Sequence, residues 1–208
     1  KDSPPQPALA TAVAVVAALF VGWRIVRIRP KLKALALGIE GEKAVGQFLE
    51  RLREQGCVVF HDVVGTDFNI DHVVIGPAGV FTVETKTWRK PLRGDARIRF
   101  DGHTLMVGEH KPDRDPIVQA RAQASWLRHL LQESTGKSFD TRPVVVFPGW
   151  FVESAPGSHK DLWVLEPKAL PAFLENEPVR LTPEDVKLAA YHLSRHIRAG
   201  EAERARRR

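Results

Sequence analysis

The chain has 208 residues, 43% hydrophobic and 27% charged, a balance that suits one ordinary folded domain with a sizeable core. Its single cysteine, Cys57, excludes an internal disulfide and a cysteine-based zinc site. The formal net charge of +6 favours polyanionic partners, either nucleic acid or an anionic membrane surface.

In chain order, residues 1–7 form a short tail. The run Ala8–Trp23 (ALATAVAVVAALFVGW) carries no charge. With the residues up to Ile28 it reaches the ~20-residue length of a membrane-spanning helix, provided Arg24 extends its guanidinium to the interface. Arg24, Arg27, Arg29, Lys31 and Lys33 follow, and by the positive-inside rule they keep their side cytoplasmic. The expectation is a single-pass anchor over 8–28, a basic juxtamembrane linker over 29–36, and a cytoplasmic domain beyond. A signal peptide would carry its charge before the apolar run and a small-residue cleavage site after it; here the charge follows.

Leu35, Ile39, Val45, Phe48, Leu49 and Leu52 recur at helical spacing, which predicts an amphipathic helix from about Lys33 to Gln55, ended by Gly56. Strands are expected at Cys57–Val63, Asn69–Ile75 and Val80–Thr87, the last two joined by the turn Gly76–Gly79. Two short strands follow at Arg97–Phe100 and Thr104–Val107. A helix opens at Pro116 and runs to about Glu133. Val144–Phe147 and Leu162–Leu165 read as buried strands, and a short helix covers Lys168–Leu174. Thr182 caps the last helix, with Pro183 at its first position and Asp185 at its third. The charged tail over 200–208 is expected to fray. The order of elements is α/β with a mixed sheet.

The hairpin Asn69–Thr87 carries the chemistry. Its four-residue connection pairs Ile75 with Val80, so counting outward sets Asp71 opposite Glu84. Opposed residues share a face, with Cβ atoms about 4.5–5.5 Å apart. Lys86, two residues beyond Glu84, shares that face. Two opposed carboxylates repel unless something neutralises them. All-oxygen donors suit a hard cation, Mg²⁺ or Mn²⁺, and a lysine beside it can stabilise charge on a phosphoryl oxygen. The plainer reading is a cross-strand salt bridge worth about 0–1 kcal/mol.

Three segments together resemble the nuclease-related domain (NERD) family, which is itself similar to the PD-(D/E)XK nucleases: G-I-E-G-E (Gly38–Glu42), N-I-D-H-V-V-I-G-P-A-G-V-F-T-V-E-T-K (Asn69–Lys86) and D-P-I-V-Q (Asp115–Gln119). The resemblance covers about Leu37–Phe147. It implies a restriction-endonuclease-like mixed central sheet flanked by helices, over 37–199. It also implies Asp71 and Glu84 as metal ligands, Lys86 as the catalytic lysine, Glu42 as the helix carboxylate completing the metal site, and Gln119 as the helix glutamine beside it. The sequence departs from the family pattern after Lys86, where an Asn closely followed by an aromatic and Gly is usual. Thr87, Trp88, Arg89 and Lys90 stand there, with Gly94 delayed.

Arg89, Lys90 and Arg93 follow the site and are candidate phosphate contacts. Trp88 is a candidate stacking platform, whereas Trp126, Trp150 and Trp163 are expected in the core. His72 points away from Asp71's face, and His61-Asp62 lacks the further His/Asp spacing of a phosphohydrolase. The implied function is hydrolysis of phosphodiester bonds in DNA, with RNA as a further possible substrate, at a membrane. The alternatives are a non-catalytic nucleic-acid-binding module and a membrane-associated interaction protein. Oligomeric state is not legible.

Overall fold

In the computed structural model, residues 7–90, 97–112 and 115–207 are described, with only the backbone at 7–10 and 12. The chain divides into two compact units, Lys1–Ile39 and Glu40–Arg208.

The first unit is helical. Helix α1 is assigned Pro7–Leu49 and has Pro30 inside it, so residues 29–36, expected as a linker, are helical instead. Proline here costs one intrahelical hydrogen bond without ending the helix. The expected membrane-spanning helix is not supported: among the described residues, no helix is long and apolar enough to cross a membrane. Arg24, Arg27 and Arg29 interrupt the apolar run from its C-terminal side, while the side chains of 7–10 lie outside those described. Of the expected tail, residues 1–7, the first six lie outside the described residues and Pro7 begins α1. The unit does expose apolar side chains, among them Val16, Leu19, Phe20 and Trp23.

The second unit is built on a five-stranded sheet in the order β1-β2-β3-β6-β8, comprising Val58–Val64, Asn69–Gly76, Gly79–Thr85, Thr141–Val146 and Trp163–Leu165. The pairs β1–β2 and β2–β3 are antiparallel; β3–β6 and β6–β8 are parallel. A second sheet, β5-β4-β7, uses Leu105–Val107, Arg97–Phe100 and Phe151–Ser154. Strand β7 had no signal in the sequence: it is four residues long, and none of them is fully buried.

Each face of the main sheet has its own core. On one, Val45 and Leu49 of α1 and Leu52 of the following 3₁₀ turn (Glu50–Gln55) meet Val74, Phe81 and Trp163. Gly56 ends that turn with φ of 80°, a left-handed conformation that glycine adopts without steric cost. On the other face, α2 (Pro116–Thr135) and α4 (Pro183–Arg206) bring Leu127, Leu131, Ala189 and Leu193 onto Val73, Ile75 and Val80. Asp115 caps α2 by accepting from the Ile117 N–H, with Pro116 at the first turn. Thr182 and Asp185 form a reciprocal capping box on α4. That helix continues to Arg206, so the tail expected to fray is helical over most of its length. The short helix after β8 is a 3₁₀ turn, Pro167–Ala169, leading into α3, Leu170–Asn176.

Candidate active site

The β2–β3 register runs from Gly76↔Gly79 through Ile75↔Val80 to His72↔Val83. This is the expected register, so the next opposed pair is Asp71 and Glu84. There the regular ladder stops, and the Asp71 carboxylate accepts from the Thr85 backbone N–H at 2.7 Å. The carboxylate takes the place of a strand partner and is held against Glu84's strand.

Strand β3 is buried along its whole length, and Glu84 is only 3% exposed. Burying a carboxylate is costly unless it is paired and hydrogen-bonded. Glu84 is so compensated. Its Oε1 accepts from Lys86 Nζ at 2.5 Å and from Gln119 Nε2 at 2.7 Å. Its Oε2 accepts from Gln123 Nε2 at 2.6 Å. Lys86 Nζ also donates to Gln119 Oε1 at 3.0 Å, closing a ring of three side chains. Asp71, Glu84, Lys86 and Gln119 are thus brought together as expected.

Gln123 was not singled out in the sequence. It is 1% exposed and also donates to the Asn69 carbonyl at 2.9 Å, tying α2 to the start of β2. One signal was available: Gln123 stands four residues after Gln119, and residues 120, 124 and 127 beside it are apolar. A polar residue inside an apolar helical stripe needs a partner.

Burial, reinforced by the charge of Glu84, raises the Asp71 carboxyl from 3.8 to about 7; the Thr85 N–H and Lys86 act against this. Glu42, half-buried on α1, is also raised, by burial first and then by the charges of Asp62 and Glu84, with Lys86 opposing. Glu42 therefore feels the centre electrostatically. Gly41 allows that approach, because a Cβ there would stand 1.8 Å from Thr87 Oγ1.

The donor set suits a hard cation. Mg²⁺ is commonly held by one or two carboxylates, with water and substrate phosphate filling the rest of its shell, and Asp71 and Glu84 supply two. Among the described residues no group of three or more His, Cys, Asp or Glu side chains is placed to hold a metal ion, so Glu42 does not close a three-carboxylate cluster. Gln119 also lines a cleft of 530 Å³ together with residues 64–69.

His72 faces the opposite side of β2, as its alternation required. It is 4% exposed, and its Nδ1 lies 2.8 Å from His61 Nδ1, whose Nε2 lies 2.7 Å from Glu50 Oε1. A carboxylate only accepts, so His61 Nε2–H donates to Glu50. In neutral His61, Nδ1 then accepts from His72. Burial, helped by His61, lowers His72 from 6.5 to about 4. Arg89 and Lys90 are exposed beyond the site, while Arg93 lies outside the described residues. Trp88, expected as a stacking platform, packs instead on Phe147 with ring centroids 5.0 Å apart, and its carbonyl accepts from Trp150 Nε1. Trp150 and Trp163 are buried in the core, and Trp126 is partly buried against it.

An Asp and a Glu on paired strands, a Lys two residues on, and a helix Gln closing over them define a nuclease-like domain on a mixed α/β sheet. The family model described as "Nuclease-related domain" matches residues 37–148, more than half of the chain. The chain belongs to the nuclease-related domain (NERD) family. Among solved structures it is similar to Pyrococcus furiosus SfsA in complex with Ca²⁺, at 19% identity over 76% of this chain and 53% of that one, with a TM-score of 0.27. It therefore spans about half the length of that protein. No match was found among curated proteins.

Proposed function

We propose that the second unit hydrolyses phosphodiester bonds in nucleic acid, DNA in the first instance, with Mg²⁺ or Mn²⁺ held by Asp71 and Glu84 and with Glu42 as an outer carboxylate. The single observation that carries this is the fixed Lys86–Glu84–Gln119 ring beside the raised carboxyl of Asp71. A divalent cation would relieve the repulsion between the two carboxylates, which Lys86 offsets only in part at Asp71. When bound, the ion supplies charge stabilisation at a phosphoryl oxygen and a more acidic water.

The remaining roles belong to the chain. Lys86 is positioned to offset charge developing on the phosphoryl group. Gln119 fixes the Lys86 amine, and Gln123 fixes Glu84 from the core side. Thr85 holds Asp71 in place, and the cleft beside Gln119 gives the strand access. Arg89 and Lys90 are phosphate contacts beyond the scissile position. The test is cleavage of a plasmid and of single-stranded oligonucleotides by the purified chain with Mg²⁺ or Mn²⁺. Metal-dependent cleavage that disappears in Asp71→Ala and Lys86→Ala supports the reading, and undiminished cleavage in both variants removes it.

One observation favours a second reading: Glu84 accepts hydrogen bonds on both oxygens from protein groups alone. Binding of DNA without cleavage under either metal would identify a non-catalytic nucleic-acid-binding module. For the first unit, the exposed Val16, Leu19, Phe20 and Trp23 beside Arg24, Arg27 and Arg29 support attachment to the anionic cytoplasmic leaflet of a membrane. Co-flotation with phosphatidylserine vesicles and not with phosphatidylcholine vesicles is the expected result.

A further inference from the structure

A second cavity, of 530 Å³, opens where α2, the β4–β5 turn and the start of β6 meet. Its basic walls are Arg121 and Arg128 of α2, Lys160 and His103. It is separate from the carboxylate centre. Thr141 and Pro143 line it, whereas Glu84 pairs with Val145, about 13 Å from Thr141 and about 7 Å from Pro143 along the strand at the usual rise, and none of Asp71, Glu84, Lys86 and Gln119 lines it. Arg121 and Arg128, seven residues apart, share one stripe of α2, and at 3.6 residues per turn that stripe is not the one bearing Gln119 and Gln123.

Neighbouring contacts shape the cavity. Arg142, opposite Phe81 in the β3–β6 register, turns its guanidinium to the α1 face, where it pairs with Glu177 at 2.6 Å and lies 4.8 Å from the centre of the Trp163 ring, so it does not face Arg121 and Arg128. Trp163 Nε1 donates to the His159 carbonyl, fixing the chain next to Lys160. Asp101 accepts from the backbone N–H groups of His103 and Thr104, which sets the turn carrying His103. Two carboxylates also line the cavity. Asp140 is paired with Arg180 at 3.3 Å, which leaves Asp161 against Arg121, Arg128 and Lys160. Among the described residues no ion pair is recorded for those three cations. Two guanidinium groups and an ammonium group lining one cavity without an ion-pair partner match the charge of phosphate oxygens, and each guanidinium offers them a fork of N–H donors.

We propose that this cavity binds a phosphate group, presented either by a small phosphorylated molecule or by a nucleic-acid strand. The site does not depend on the carboxylate centre or on turnover there. Binding of three probes to the full chain at low ionic strength tests it: inorganic pyrophosphate by calorimetry, and 5′-phosphorylated and 5′-hydroxyl oligonucleotides by fluorescence anisotropy. At least one probe is expected to bind saturably, and Arg121→Glu with Arg128→Glu to weaken it by roughly tenfold or more, with the circular dichroism spectrum unchanged. Asp71→Asn is expected to retain that binding, which separates this site from the proposed nuclease centre. Pyrophosphate binding identifies a small-molecule source; preference for the 5′-phosphorylated strand identifies a strand end; equal binding of both strands identifies backbone phosphates. Failure of all three probes to bind, or binding unchanged in the double variant, overturns the proposal.

Discussion

Asp71 and His72 are neighbours on β2, yet they belong to different faces of the sheet. Asp71 meets Glu84's strand and accepts from Thr85, on the face where α2's glutamines bond Glu84; His72 lies on the other face, against His61. Both are displaced toward their neutral forms, the carboxyl up to about 7 and the imidazole down to about 4, and burial is the first cause in each case. The lesson is that burial alone does not mark a catalytic group. The Asp71 face also has a paired lysine, a second carboxylate and a glutamine ring, whereas the His72 face ends at Glu50, which hydrogen bonds from Arg53 and His61 hold at about 2.

Five experiments break or sharpen that comparison. The largest effect is expected on cleavage. Asp71→Ala and Lys86→Ala should each lower metal-dependent cleavage by about 10²–10³-fold, the loss typical of removing one charge-stabilising group. His72→Gln should change the rate little. An equal loss in His72→Gln, with its fold intact, would show that the two faces act as one site.

Next come two changes that read out in stability. Gly41→Ala places a Cβ 1.8 Å from Thr87 Oγ1 and within 3.0 Å of two further Thr87 carbons. Such overpacking costs about 1–3 kcal/mol, and adding Thr87→Gly should recover part of it in urea denaturation. Gln123→Leu removes donors from Glu84 and from the Asn69 carbonyl, and should cost about 1–3 kcal/mol. A smaller loss than that of an exposed α2 substitution would mean that Glu84 does not need its core-side partner.

The pH dependence separates the two faces by sign. Asp71's folded value is raised, so its contribution is complete below 3.8 and is lost as pH rises toward 7. His72's folded value is lowered, so its contribution is complete above 6.5 and is lost as pH falls through 4. In the metal-free chain the two slopes oppose each other between those limits. Asp71→Asn should therefore gain on the order of 2 kcal/mol over the parent at about pH 8 and nothing below about pH 4. The remaining slope should then follow His72. Urea titrations with chelator across this range measure both, and an unchanged profile in Asp71→Asn would remove the raised carboxyl from the account. The smallest effect is expected at the rim, where Arg89→Ala and Lys90→Ala should each weaken DNA binding a few-fold and lower the salt slope by about one.

Much of the candidate site could be read along the chain. The Gly76–Gly79 connection set the register of Asp71 and Glu84, because a hairpin's turn length fixes which residues oppose. Strand alternation then put Lys86 on Glu84's face and His72 on the other. The capping signals at Pro116 and Thr182 placed two helix starts for a similarly local reason. Strand β7, the helical state of residues 29–36 and the helical continuation to Arg206 were not legible, since neither short strands nor helix ends are determined by local pattern alone.

What the sequence by itself determined is therefore the set of groups within one hairpin: Asp71, Glu84 and Lys86 on one face, by periodicity. Only the tertiary structure decided what surrounds them. Gln123 reaches Glu84 from α2, Gly41 brings α1 against Thr87, and Lys160 joins Arg121 and Arg128 around a separate cavity. Those contacts join segments tens of residues apart in the chain. Their distances follow from how the helices pack on the sheet, which no local repeat in the sequence encodes.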